Sequence, residues 1–134
     1  MNEATRQIAL RWFQEVWQQR RVASIHELLA PSALGHMEGQ DIVGPEQFAT
    51  IHREILQALP DLVMTIEDVV AEGENAVVRW SFRGRHTGCG LGCEPTLRDL
   101  SFGGMTWFKI RDGQIIEGWD RWNHAAFLRT LLPD

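Results

Sequence analysis

The chain has 134 residues, 44% hydrophobic and 23% charged, the size and balance of one globular domain and not of a fibre or a disordered segment. Eighteen acidic against thirteen basic residues give a net charge of -5, with Arg20-Arg21 and Arg83/Arg85 the only small basic clusters, which argues against nucleic acid as a partner. No run approaches the roughly 18 apolar residues of a membrane span, and no apolar stretch of signal-peptide length follows Met1 to Arg6, so a cytoplasmic protein with no membrane partner is expected.

Between Ala4 and Arg20 the apolar residues Ala9, Trp12, Phe13, Val16 and Trp17 recur at three- and four-residue spacing among polar ones, the pattern of an amphipathic helix. A shorter helix is predicted over Val22 to Ala30, stopped by Pro31. The weakly patterned stretch from Ser32 to Val43, which carries His36, has room for one brief strand. Gly44-Pro45 then opens a third helix, with a stripe of Phe48, Ile51, Ile55, Leu56 and Leu59 that ends at Pro60. His52 lies on that stripe and reads as a helix-packing or wall residue.

After Asp61 the texture turns β-branched. Leu62 to Ala71 and Ala76 to His86 are separated by Glu72-Gly73-Glu74-Asn75 and are expected to form a hairpin. In the second run Val78, Trp80, Phe82 and His86 share one face, while Arg79, Ser81, Arg83 and Arg85 take the other. Thr87 to Pro95 reads as a loop, Leu100 to Ile110 as a third strand and, after Arg111-Asp112-Gly113, Gln114 to Trp122 as a fourth. Asn123 precedes a last short helix, His124 to Leu132. Helices first and an antiparallel meander afterwards is the α+β order. The expected architecture is a strongly curved, mainly antiparallel sheet wrapped around N-terminal helices, a cone with an internal pocket at its open end. Six Trp with no Tyr suit either a ring-lined cavity or plain core filling.

Five strings support a resemblance that covers nearly the whole chain as a single domain, 1–134. They are Ile42-Val43-Gly44-Pro45-Glu46-Gln47-Phe48, Leu59-Pro60-Asp61-Leu62 with Ile66-Glu67-Asp68-Val69-Val70-Ala71-Glu72-Gly73, Gly84-Arg85-His86-Thr87-Gly88, and Asp112-Gly113-Gln114-Ile115-Ile116-Glu117-Gly118-Trp119. In this order they resemble the SnoaL-like polyketide cyclases of the nuclear-transport-factor-two-like superfamily. The resemblance implies the cone fold (cystatin-like, nuclear-transport-factor-two-like), often dimeric, with a pocket that needs neither metal nor cofactor. It also implies ring closure by intramolecular aldol chemistry, using an Asp just after the Trp of the last strand and a His on the preceding strand. Counting four residues on from Trp119 places Asn123 where the Asp would stand, and Trp107 is matched to the His.

Proton abstraction beside a carbonyl needs a base within reach of the carbon acid and a second group to stabilise the enolate. Asn123 can do only the second job, and it equally suits the N-cap of the last helix. Asp120 neighbours the expected position and, with His124, spans a strand end and a helix start. Alternation turns Asp120 outward if Trp119 and Asn123 face inward, unless a bulge intervenes. His36 and His86 titrate near neutral pH and are candidate bases, against the plainer reading of hydrogen-bonded rim or core groups. The candidate site therefore comprises His36, Asn123 and Asp120 as catalytic groups, with Trp80, Phe82, His86, Trp107 and Trp119 as substrate-binding walls. No His-Glu-x-x-His spacing occurs, so no metal is expected, nor any cofactor. Cys89 and Cys93 are expected to be free thiols in a Gly-rich flap.

The function these readings favour is a cofactor-independent, cyclase-like or isomerase-like enzyme acting on a small hydrophobic carbonyl compound. One alternative is a non-catalytic protein that binds a hydrophobic ligand, and another an interaction domain whose side chains fill the pocket. A homodimer is expected, because a wide sheet has more apolar surface than the helices can cover and isologous pairs are the commonest solution.

Overall fold

The computed structural model describes residues 2–132. The first helix, α1 (Asn2–Arg11), widens into π-helical turns over Trp12–Gln18, where Trp12, Phe13, Val16 and Trp17 are all buried. A π turn bonds residues five apart, so Trp12 and Trp17 follow one another along the same side. Helix α2 (Val22–Leu28) ends before the predicted stop, because Leu29 is already extended. Pro31 in turn restricts Ala30 to extended backbone, which carries the strand on from Leu29. In place of one brief strand there are two, β1 (Leu29–Met37) and β2 (Gln40–Val43), joined by a tight Glu38-Gly39 turn in which Gly39 has φ +88°.

Helix α3 (Gly44–Ala58) carries Pro45 in its first turn. Gly44 has φ +81°, and a Cβ there would stand 2.8 Å from the Pro31 carbonyl oxygen, so the junction between β2 and α3 admits glycine alone. The meander follows as β3 (Val63–Glu72), β4 (Asn75–Arg85), β5 (Asp99–Arg111) and β6 (Gln114–Trp122), and α4 (His124–Thr130) closes the described chain.

The six strands run in the order β2-β1-β6-β5-β4-β3, antiparallel except for β1 beside β6, which is parallel. The sheet is mixed and open, with β2 and β3 at its edges. On β4 the alternation holds as read from the sequence: Val78, Trp80 and Phe82 are buried, and Arg79, Arg83 and Arg85 are exposed. On β6 it does not. Lys109 pairs with Glu117 but Ile110 pairs with Ile115, so β6 holds one extra residue, Ile116, in a bulge. The bulge reverses the parity of everything after it: Ile115 is buried in the core, and Gly118, Asp120 and Trp122 are then the residues that turn the same way.

Aromatic rings fasten the helices to the sheet, with Trp12 at 4.8 Å from Phe48 and 6.4 Å from Phe108, and Phe13 at 6.1 Å from Phe108. His52 packs its buried ring 4.9 Å from Trp17 and donates from Nε2 to the Val16 carbonyl oxygen at 2.8 Å. Burial lowers its pKa, which suits a neutral ring fixed in a helix contact.

Candidate active site around Asp120

Between the helices and the sheet lies a cavity of about 230 Å³. Its helix side is Trp12, Phe13, Trp17 and Phe48, and its sheet side includes Trp80, Phe82, Thr106, Phe108, Asp120 and Trp122. Most of this surface is apolar; Asp120 stands in it, and His36, Glu38, Glu54 and His124 also contribute to the lining. Register pairs Thr106 of β5 with Asp120 of β6, and the Thr106 hydroxyl donates to Asp120 Oδ1 at 2.6 Å. Trp80 Nε1 donates in turn to Thr106 Oγ1 at 2.9 Å. Because the Thr106 oxygen accepts the indole proton, its own proton is directed at the carboxylate, and one carboxylate oxygen is held in place.

Asp120 retains some accessible surface, yet it sits deep in the protein, because that surface belongs to the cavity wall. Burial pushes its pKa up, opposed by the Thr106 hydrogen bond and by Arg121 and assisted by Glu38. A carboxylate made more basic in an apolar chamber, with one oxygen fixed, is suited to take a proton from a weak carbon acid. At the mouth, the Glu38 carboxylate lies 3.7 Å from Arg121 Nη1. The His124 ring stands 5.4 Å from Trp122, close to Gly39 of the β1–β2 turn.

Trp80 and Phe82 stand in the cavity wall. The remaining candidates are placed elsewhere or engaged otherwise. Trp107 and Trp119 are cross-strand partners on the opposite side of the sheet from Asp120; the bulge at Ile116 turns Trp119 outward, whereas Trp107, matched to the His by resemblance, faces out by plain alternation with the buried Thr106 and Phe108. Trp107 is 50% exposed and donates from Nε1 to Asn75 Oδ1 at 2.9 Å. Asn123 is exposed and caps α4, its Oδ1 accepting from the Ala126 N–H at 3.2 Å; it is not in the wall.

His36 contributes to the cavity lining, but its ring stacks 5.4 Å from Trp119, and both its nitrogens face carboxylates, Glu117 Oε2 at 2.6 Å and Asp41 Oδ1 at 3.2 Å. The Glu117 hydrogen bond leads in raising its pKa. A proton held between two carboxylates makes His36 a poor base. His86 is fully buried beyond the end of β4, where Nδ1 accepts from the Thr96 backbone N–H at 3.2 Å and Nε2 lies 3.8 Å from Cys93 Sγ. It pins the 87–98 loop. Cys89 and Cys93 are free thiols. Thr106 went unread in the sequence, since a lone Thr between Met105 and Trp107 is ordinary strand composition; its parity with Phe108 and register with Asp120 were the available signals. Among the described residues no group of three or more His, Cys, Asp or Glu is placed to hold a metal ion, and no helix is long and apolar enough to cross a membrane.

This architecture is that of the nuclear-transport-factor-two-like α+β proteins. Within that class the chain belongs to the SnoaL-like polyketide cyclase family, whose sequence model matches residues 7–131. A crystal structure from Jannaschia sp. CCS1, provisionally named as a SnoaL-like polyketide cyclase, is 25% identical with a TM-score of 0.87, covering 97% of this chain and 92% of that one. AclR from Streptomyces galilaeus, provisionally named as a hydroxylase, is 22% identical with a TM-score of 0.83, covering 100% and 85%. IdmH from Streptomyces antibioticus, provisionally named as a polyketide cyclase, is 23% identical with a TM-score of 0.79, covering 95% and 97%. No curated protein matches the sequence. Family membership supports a function of the cyclase or isomerase type, and the two likenesses under 25% identity extend to the fold alone.

Proposed function

We propose that this protein is a cyclase- or isomerase-type enzyme that enolises a small hydrophobic carbonyl compound in the cavity, with Asp120 as the base. The observation that carries the reading is the Trp80–Thr106–Asp120 hydrogen-bond chain, which fixes one carboxylate in a largely apolar chamber. Asp120 takes a proton from the carbon beside the carbonyl, and the C–H electron pair moves through the new C=C bond to leave an enolate oxygen. In an isomerisation the proton returns to a different carbon. In a cyclisation the enolate carbon attacks a second carbonyl of the same substrate, whose oxygen receives the proton from Asp120. Either sequence conserves electrons, so no oxidant or reductant takes part.

The test does not require the natural substrate. 2-Tetralone, a bicyclic ketone with acidic α-hydrogens, is incubated with the protein in deuterium oxide and α-deuteration is followed by NMR. Acceleration by the wild type that is lost in Asp120→Asn is the expected result. Binding of 2-tetralone without any acceleration favours the second reading, a non-catalytic hydrophobic-ligand protein. That reading draws on Asp120 having the Thr106 hydroxyl, and not a second titratable group, as its side-chain hydrogen-bond partner.

A further inference from the structure

Removing a proton is half of enolisation; the developing oxygen anion needs a hydrogen-bond donor. The obvious donors beside Asp120 are engaged, Trp80 Nε1–H by Thr106 and the Thr106 hydroxyl by Asp120. Two others on the opposite wall are not. Trp12 is 5% exposed and Trp17 9% exposed, both line the cavity, and neither indole N–H has an acceptor among the described residues. Among the described residues no fully buried side-chain nitrogen or oxygen lacks a partner, so these two N–H groups keep some open surface although their rings are buried. An indole N–H with open surface and no protein acceptor is available to a ligand oxygen, and bonding one satisfies a donor that the fold leaves unused.

The backbone supplies the reason both rings reach the same wall. They lie five residues apart in the π-helical segment Trp12–Gln18, a conformation found disproportionately at functional sites. Trp12 stands over Phe108, which is two residues along β5 from Thr106 on the same face, about 7 Å by strand rise. Since Thr106 hydrogen-bonds Asp120, the carboxylate and the two rings line the same chamber.

We infer that Trp12 and Trp17 form the hydrogen-bond-donor side of the site, receiving a carbonyl or enolate oxygen of the substrate through their indole N–H groups. The site thus selects flat apolar compounds that carry an acceptor oxygen over hydrocarbons of the same shape. This rests on the proposed function, and the experiment separates the two. Binding of 2-tetralone and of tetralin, the matching hydrocarbon, is compared for the wild type, Trp12→Phe and Trp17→Phe, and the indole N–H resonances of the wild type are followed by ¹H–¹⁵N NMR, the two variants assigning their peaks.

The wild type should prefer 2-tetralone about five-fold, the order of one neutral hydrogen bond. At least one variant should lose that preference while keeping its tetralin affinity, and the Trp12 or Trp17 indole proton should move downfield with 2-tetralone but not with tetralin. Equal affinity for the two compounds in the wild type, or a preference that both variants retain with unmoved indole protons, overturns the donor assignment and leaves the Asp120 reading standing. Failure of both compounds to bind overturns the cavity as a site, and both proposals with it. Because the shifts are read on the wild type, a spectrum in which no indole proton moves downfield with 2-tetralone overturns the inference even where a variant folds poorly.

Discussion

Thr106 on β5 faces Asp120 on β6 with its hydroxyl 2.6 Å from the carboxylate, and the two meet only because β6 holds an extra residue at Ile116. Without that bulge the alternation from buried Ile115 would point Trp119 into the cavity and Asp120 away from it.

Replacing Asp120 by Asn should abolish α-deuteration of 2-tetralone and raise stability at neutral pH. The folded state raises the Asp120 pKa above its ordinary 3.8, so the unfolded chain releases its proton first. Stability is therefore full below about pH 3.8 and falls as pH rises through the folded value. Asp120→Asn removes that decline, and urea titrations at pH 4 and pH 7 should show the variant gaining on the wild type at the higher pH. A variant less stable than the wild type at pH 7 counts against a buried, pKa-raised carboxylate.

Thr106→Val leaves Trp80 Nε1 without its acceptor and Asp120 without its donor. A loss of about 1–3 kcal/mol in denaturant unfolding is expected, with Thr106→Ser restoring most of it. The Thr106 bond holds the Asp120 pKa down against burial, so the acid limb of the exchange rate should move to higher pH in Thr106→Val and return in Thr106→Ser. An unmoved pH profile in Thr106→Val would assign Thr106 a packing role alone.

His36 contributes stability of the opposite origin, as a cation between Glu117 and Asp41. Its pKa is raised above 6.5, the Glu117 hydrogen bond being the first cause, so the folded state binds the proton more tightly. The stabilisation is fully present below about pH 6.5 and fades as pH rises through the folded value. Thermal melts of wild type and His36→Gln should differ more at pH 6 than at pH 9. Turnover should survive the substitution, since the ring is engaged away from Asp120; its abolition in a folded His36→Gln would restore His36 to the catalytic set.

The outer side of the sheet leaves Met105 51% and Trp107 50% exposed, large apolar groups that a second copy of the chain would cover through an isologous contact. Sedimentation at micromolar concentration should give twice the 15.3 kDa chain mass, and Trp107→Glu should give the monomer. A wild type that sediments as the monomer rules out the dimer.

What the sequence determined by itself was whatever a local period or a turn residue encodes. The amphipathic stripe of Trp12 to Trp17, the Gly44-Pro45 start of α3, the β3–β4 turn and the inward face of Trp80 and Phe82 were all legible, because side-chain burial repeats with the period of the element. The tertiary structure decided three things that no local pattern carries. It set β1 parallel to β6 across the whole length of the meander. It placed the bulge at Ile116, which passes as an ordinary strand residue until the pairing with β5 is known. Through that one inserted residue it exchanged Trp119 and Asn123 for Asp120 as the groups near the cavity, because a pleated strand changes the side of every later side chain when its register slips by one.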